Sequence, residues 1–176
     1  MYQGSNKTAC ASQRQFAEAL LELMAEQPFD QLTVSAICKR AGISRATFYT
    51  LFQSKENVVT YLLMQDCCDT PSEECAEADV LRALCHGYSE YVVRQADLLR
   101  LLSENHIMQL LQGTLSELFC SCECFRACLR EEMMPYAPDY VAAGLTSIAE
   151  SSIREGADQQ TIERISYKML RGEFLI

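Results

Sequence analysis

The sequence predicts an all-α protein of about nine helices, and periodicity, punctuation and the lack of strand patterning each point that way. Apolar residues recur at three- and four-residue spacing through most of the chain. They run from Phe16, Leu20, Leu23 and Met24 near one end to Ile162, Ile165, Met169 and Leu170 near the other. Glycine and proline are sparse, seven and four in 176 residues. Most of them fall where an apolar pattern stops, as expected of residues that end helices. No alternating apolar run flanked by turn residues marks a strand.

Taken in order, residues 1–8 are polar and read as a disordered tail. The first helix is expected from Ala9 to Gln27 and ends at Pro28, with Phe29 and Leu32 tucking the connector inward. Thr33 is placed to cap a second helix through Val34, Ile37, Cys38 and Ala41, and Gly42 is placed to end it in a left-handed turn. Ser44 caps a third helix with Phe48, Leu51 and Phe52 on its buried side. Ser54 caps a fourth, buried at Val58, Val59, Leu62 and Leu63 and reaching about Cys68. Residues 69–74, DTPSEE, read as a linker. A fifth helix covers roughly Cys75 to Gln95, and Asp97 is placed to cap a short sixth through Leu102. A long seventh helix is expected from Ile107 to Met134, packed along its length through Met108, Leu111, Leu115, Leu118, Cys122, Phe125 and Leu129. Pro135 and Pro138 interrupt the pattern. An eighth helix runs from Asp139 to Glu155, closed by Gly156, and Asp158 caps a ninth.

This divides the chain into a head at residues 9–54, a connecting helix at 55–68, and a body at 75–176. The charges divide the same way. Residues 1–60 carry six basic and five acidic side chains, whereas residues 61–176 carry nine and nineteen, against −9 for the whole. Within residues 33–55 there are Lys39, Arg40, Arg45 and Lys55 and no acidic residue. A local positive charge in an acidic chain calls for an anionic partner, and the phosphate backbone of nucleic acid is one. Two short helices joined by a glycine turn, with those cations, form a helix-turn-helix pattern. No apolar run reaches the length of a membrane span and no leader patterning opens the chain, so a cytoplasmic protein without membrane contact is expected.

A recognition helix presents its N-terminal residues to base edges in the major groove. Here those are Ser44, Arg45, Ala46 and Thr47, with Thr50 one turn on. Arg45 can donate two hydrogen bonds to a guanine edge, and Ala46 or the Thr47 methyl can meet a thymine methyl. Tyr49 is spaced away from Phe48 and Phe52, toward a phosphate. Lys55 and Thr33 stand at the starts of helices four and two, where free backbone amides suit a phosphate. Phe48, Phe52, Ile37 and Leu51 are assigned to the core. Lys39 and Arg40 are divided evenly between DNA contact and a solvated helix end.

The run TVSAICKRAGISRATFYTLFQSKE, residues 33–56, resembles the signature of the tetracycline-repressor (TetR) family of transcription regulators. The likeness lies in the Thr before the first helix, the A-G-I-S turn, the T-F-Y triplet and F-x-S-K-E. The run is 24 of the chain's 176 residues. The likeness implies that Thr33, Tyr49 and Lys55 contact the DNA backbone, that helix three reads bases, and that the body forms a homodimer through its last two helices. A two-fold dimer reads a palindromic operator in double-stranded DNA. In the eighth helix Ala142, Ala143, Gly144, Ser147, Ala149 and Ser152 allow close approach, with Val141, Leu145, Ile148 and Ile153 supplying apolar area. With Ile162, Ile165 and Met169 of the ninth, the expected interface is Val141, Leu145, Ile148, Ser152, Ile162, Ile165 and Met169. The resemblance also implies a pocket for an unidentified small-molecule effector. Its candidate lining is Tyr88, Tyr91, Glu104, Met108 and Tyr140, with His86 and His106 nearby. Repression by promoter occupancy, relieved by a ligand that favours the other spacing of the heads, is the implied mechanism.

Ten cysteines suggest a rival signal, thiol oxidation or a metal, with Cys120, Cys122, Cys124 and Cys128 in one stretch. On a continuous helix Cys122 points away from the stripe formed by the other three, so one ion cannot gather all four. Buried reduced thiols are the expected state, with no metal and no cofactor. A partner-binding adaptor without operator binding is the other rival, and Arg45, Tyr49 and Lys55 count against it. No phosphate-binding glycine loop, zinc-protease motif or nucleophile elbow is present, so an enzyme is not expected.

Overall fold

A computed structural model describes residues 6–65, 80–127 and 129–173, the side chain of Cys124 excepted. Among these residues the fold is all-α, with no strand. The α-helices are α1 (Lys7–Glu26), α2 (Val34–Ala41), α3 (Arg45–Leu51), α4 (Lys55–Met64), α5 (Val80–Arg94), α6 (Ala96–Glu104), α7 (Gln109–Ser121), α8 (Glu123–Ala127), α9 (Ala137–Glu155) and α10 (Gln159–Leu170). Single 3-10 turns occupy Phe29–Gln31 and Glu131–Met133. The chain forms two compact units, Met1–Gln65 and Asp66–Ile176. No described helix is long and apolar enough to cross a membrane.

In the first unit α1 packs on α2, α3 and α4. Its core is aromatic: Phe16 meets Phe48 edge-on at 5.1 Å and Phe52 at 6.1 Å, and all three side chains are fully buried. Offset and edge-on ring contacts add to the area these residues withdraw from water. Val58, Val59 and Leu63 bring α4 into the same core. Helix α1 begins earlier than the polar composition of residues 1–8 suggests. The Asn6 side chain accepts the Thr8 N–H at 3.0 Å, which satisfies one of the free donors of the first turn. The expected tail at residues 1–5 lies outside the described residues.

In the second unit α7 packs along α9, α5 along α10, and α9 touches both α6 and α10. Three boundaries differ from the sequence-based expectation. Asp97 is not a cap: α6 starts at Ala96, and Asp97 sits in its first turn, paired with Arg100 at 3.0 Å. A carboxylate there still complements the helix dipole, which is why the two positions are hard to tell apart from sequence. The long seventh helix is broken. Cys122 is extended, with φ −77° and ψ 111°, and α8 is a separate short helix. The break lets Phe119 and Phe125 stack at 4.8 Å. On one straight helix, residues six apart are separated by about 9 Å of rise and face different ways. Finally, α9 begins at Ala137 with Pro138 inside its first turn, where a missing N–H costs nothing. Gly156 and Asp158 end α9 and cap α10 as their types suggest, with φ 66° at Gly156 and the Thr161 N–H on the Asp158 carboxylate at 2.8 Å. The linker at residues 69–74, the end of the fourth helix past Gln65 and the start of the fifth before Val80 lie outside the described residues.

Candidate nucleic-acid interface

Local chemistry builds the helix-turn-helix in small steps. The Thr33 hydroxyl accepts the Ala36 N–H at 3.2 Å and starts α2. Gly42 ends it in the left-handed region, φ 69°, with the Ile43 N–H returning to the Cys38 carbonyl at 3.1 Å. A residue with a β-carbon holds that conformation only at a cost, so glycine suits the turn. Ser44 then caps α3 through the Thr47 N–H at 3.2 Å.

Burial sorts the two faces of α3. Phe48 and Leu51 point inward, and Arg45, Ala46, Tyr49 and Thr50 are exposed. Tyr49 leans its ring edge on Phe48 at 5.7 Å and leaves about half its surface to solvent. The hydroxyls of this face are turned onto the helix. Those of Ser44 and Thr47 bond to each other at 2.9 Å, and Thr50 donates to the Ala46 carbonyl at 3.0 Å. What remains outward is the Arg45 guanidinium, the Ala46 methyl and the Tyr49 ring and hydroxyl. A cation able to fork, beside an apolar group and an aromatic polar tip, is the donor set that reads a guanine–thymine edge and touches a phosphate.

Two other cations of the head, Arg40 and Lys55, are committed. Arg40 forks onto Glu26 at 2.9 and 2.8 Å and reaches Glu22 at 3.1 Å. The hydrogen bond from Arg40 holds the Glu26 carboxyl below its ordinary range, and the two carboxylates raise the guanidinium. Arg40 therefore ties α2 to α1. Lys55 stands where the sequence places it, at the start of α4, but its ammonium donates inward. It reaches the carbonyls of Phe29 at 2.6 Å, Leu32 at 2.9 Å and Asp30 at 3.3 Å, and lies 4.4 Å from the centre of the Phe29 ring. Lys39 is exposed. The acidic partners were invisible in the 33–55 window because they sit on α1. Their signal is their four-residue spacing, which puts Glu22 and Glu26 on one face.

In the second unit, the interface expected from sequence divides. Leu145, Ile148, Ser152 and Ile162 are buried within the single chain and do not lie on a surface. They lie on α9 and α10, which pack on α5, α6, α7 and each other, so their apolar pattern reports the intrachain core. Val141 is half-buried, and Ile165 and Met169 are exposed. The five expected pocket residues do not share one environment. Tyr88, Tyr91 and Met108 are buried, whereas Glu104 and Tyr140 face solvent. Tyr88 donates to the Leu145 carbonyl at 2.6 Å and stacks near Tyr91, so its polar tip is already used. The open depression lined by Arg130, Glu131 and Glu132 includes none of the five. His86 is exposed between Glu163 at 2.9 Å and Glu90 at 3.6 Å, and is raised above its ordinary value mainly by the Glu163 hydrogen bond. Cys120 is exposed and Cys122 half-buried. The helix break undoes the single-stripe geometry assumed for the cysteines, and no cluster of three metal-ligating side chains occurs among the described residues. The side chains of Cys124 and Cys128 lie outside them.

The profile of the bacterial regulatory proteins of the tetR family matches residues 17–62. It is this segment, residues 17–62, that is of the tetR family. The match begins on α1 and ends on α4, so it contains Phe48 and Phe52 of the aromatic core, the glycine turn and every α3 residue singled out above. Over 60 residues the chain is 33% identical to the HTH-type dhaKLM operon transcriptional activator DhaS of Lactococcus lactis subsp. lactis (strain IL1403). That segment is 34% of this chain and spans only about a third (32%) of the relative's length.

Likeness in fold extends over nearly the whole chain. The TetR-family regulator SCO0857 of Streptomyces coelicolor A3 superposes with a TM-score of 0.72, covering 98% of each chain at 14% identity. The fatty acid degradation regulator FadR of Bacillus halodurans gives a TM-score of 0.61 at 18% identity, covering 99% of this chain and 98% of its own. At such identities the second unit shares a helical architecture with these proteins, while its side chains are its own.

Proposed function

We propose that the chain is a homodimeric DNA-binding transcription regulator of the cytoplasm that places α3 of each protomer in the major groove of a palindromic operator. The observation that carries this is the division of α3. Its inner face is locked by fully buried Phe48, and its outer face offers Arg45, Ala46 and Tyr49, with no hydrogen bond to the Arg45 or Tyr49 side chain among the described residues. Ser44, Thr47 and Thr50 support the helix and meet the DNA through their methyl groups or a re-aimed hydroxyl. Thr33 approaches a phosphate from the start of α2.

One short helix reads few base pairs, so two-fold pairing supplies the needed specificity. The proposed pairing face is the outward stripe of α9, with Tyr140, Ala143, Gly144 and Ser147, together with Ile165 and Met169 of α10. Promoter occupancy by such a dimer represses transcription directly. Activation, the role in the name of the Lactococcus relative, needs a further surface for the transcription machinery. Release by a small, largely apolar effector acts by favouring a spacing of the heads that does not fit the operator. No catalytic step enters this scheme.

The test is selection of duplexes from a randomised pool by the folded wild-type chain at low salt, followed by binding to the selected duplex. Arg45→Ala is expected to relax preference at one base pair by about 1–3 kcal/mol. Tyr49→Ala is expected to weaken binding to all selected sequences alike. A folded wild-type dimer that enriches no duplex refutes the proposal. A selected site without two-fold symmetry refutes the paired arrangement alone.

A further inference from the structure

We propose that Lys55 is a positioning residue for DNA binding and not a phosphate contact: its ammonium braces the first turn of α4 against the segment that leads into α2. This rests on the DNA-binding function proposed above. An ammonium has three N–H donors. Here they meet three carbonyls, of Phe29, Asp30 and Leu32, at 2.6–3.3 Å, and the charge lies over the Phe29 ring. Those carbonyls belong to the 3-10 turn Phe29–Gln31 and the residue that follows it, and that of Phe29 also accepts the Leu32 N–H at 3.1 Å.

The brace matters because of what it joins. Leu32 precedes Thr33, whose carbonyl accepts the Ala36 and Ile37 N–H groups at 3.0 and 3.1 Å and whose hydroxyl caps α2. Lys55 opens α4 directly after the turn that leaves α3. In that turn Gln53 is left-handed, φ 70°, a conformation a side-chain-bearing residue keeps only when its surroundings enforce it. Asn57 helps enforce it by donating to the Phe52 carbonyl at 2.5 Å. The α2–α3 pair is thus fixed at Gly42 between its helices and by Lys55 across its two outer ends. The presentation of Arg45 and Tyr49 depends on both.

The salt dependence of DNA binding separates this role from a phosphate contact. Each neutralised phosphate contributes about 0.9 to the slope of log K against log salt. The experiment uses the full chain and a duplex selected by the wild type, with Lys55→Met, which keeps the stem, and Lys55→Arg, which keeps the charge but not the compact three-donor geometry. Amide exchange at Ala36 and Ile37 is followed without DNA. The expected result is affinity lowered at least about tenfold by either variant with the salt slope unchanged, and exchange at both amides accelerated by a similar factor. A slope that falls by about 0.9 in Lys55→Met overturns the proposal, whatever happens to exchange. So does full retention of affinity in Lys55→Arg. If Lys55→Met does not fold, Lys55→Arg decides. A wild type that binds no duplex defeats the DNA-binding function, while unchanged exchange at Ala36 and Ile37 in the variants defeats the brace.

Discussion

Glycine-to-alanine substitution is expected to have opposite signs at two positions of this chain, and the structure fixes both. Gly42 has φ 69°, and a β-carbon built on it meets nothing within 4 Å. The cost of Gly42→Ala is therefore conformational, with no clash to add. An L-residue in the left-handed region costs about 1–2 kcal/mol. Gly113 lies inside α7, is exposed, and also leaves open space around an added β-carbon. There alanine removes freedom from the unfolded chain and gains about 0.5–1 kcal/mol. The same added methyl should thus differ by about 1.5–3 kcal/mol between the two sites. Because the chain has two compact units, the assay is native-state amide exchange, read on the α1–α2 amides for Gly42 and on α7 for Gly113. Protection should fall roughly 5–30-fold in the first and rise about 2–5-fold in the second. A neutral Gly42→Ala refutes the account of the turn. A loss well above 3 kcal/mol implies a clash that the open space denies.

Other outcomes follow from single contacts. Tyr88→Phe removes a buried donor to the Leu145 carbonyl, and urea unfolding of the second unit should show a loss of about 1 kcal/mol; no loss would mean that the 2.6 Å bond contributes nothing net. His86 is raised in the folded chain, so its ion pairs with Glu163 and Glu90 stabilise fully below its unfolded value and that stabilisation is lost as pH rises through the folded one. Urea midpoints between pH 5 and 8 should show this fall in the wild type and lack it in His86→Gln. Ile165→Glu with Met169→Glu should convert a dimer to a folded monomer in sedimentation. Leu145→Ala should instead destabilise the single chain by about 2–5 kcal/mol, since Leu145 is wholly buried.

Much of the head was legible because its signals are local. Thr33, Ser44 and Ser54 each cap the helix they precede, through N–H groups three residues on. Gly42 is left-handed where the pattern stops. Each of these is a contest between a side chain and its own backbone, decided within four residues. The fates of Arg40 and Lys55 were not legible in that way. Their partners lie 14 to 26 residues back along the chain, on α1 and in the turn after it. A window that counted four cations and no acid between residues 33 and 55 was correct as composition. It overstated the free charge, because the fold supplies the counter-charges from outside the window.

The body shows the converse limit. Apolar spacing at Leu145, Ile148 and Ile162 marked helix faces that are buried, but spacing cannot say by which chain. A helix in a single-chain core and a helix at a two-fold interface carry the same stripe. What separates them here is the residue left outside after the chain has packed. Ile165 and Met169 remain exposed on α10, and Tyr140 with the small side chains Ala143 and Ser147 remains exposed on α9. The break at Cys122 has a similar origin. The heptad-like run continues through it, yet the chain turns there, and buried Phe119 stacks on Phe125 across the turn. Tertiary packing of two aromatic rings outweighs one turn of helix, because most helical stability in a protein comes from the face it buries.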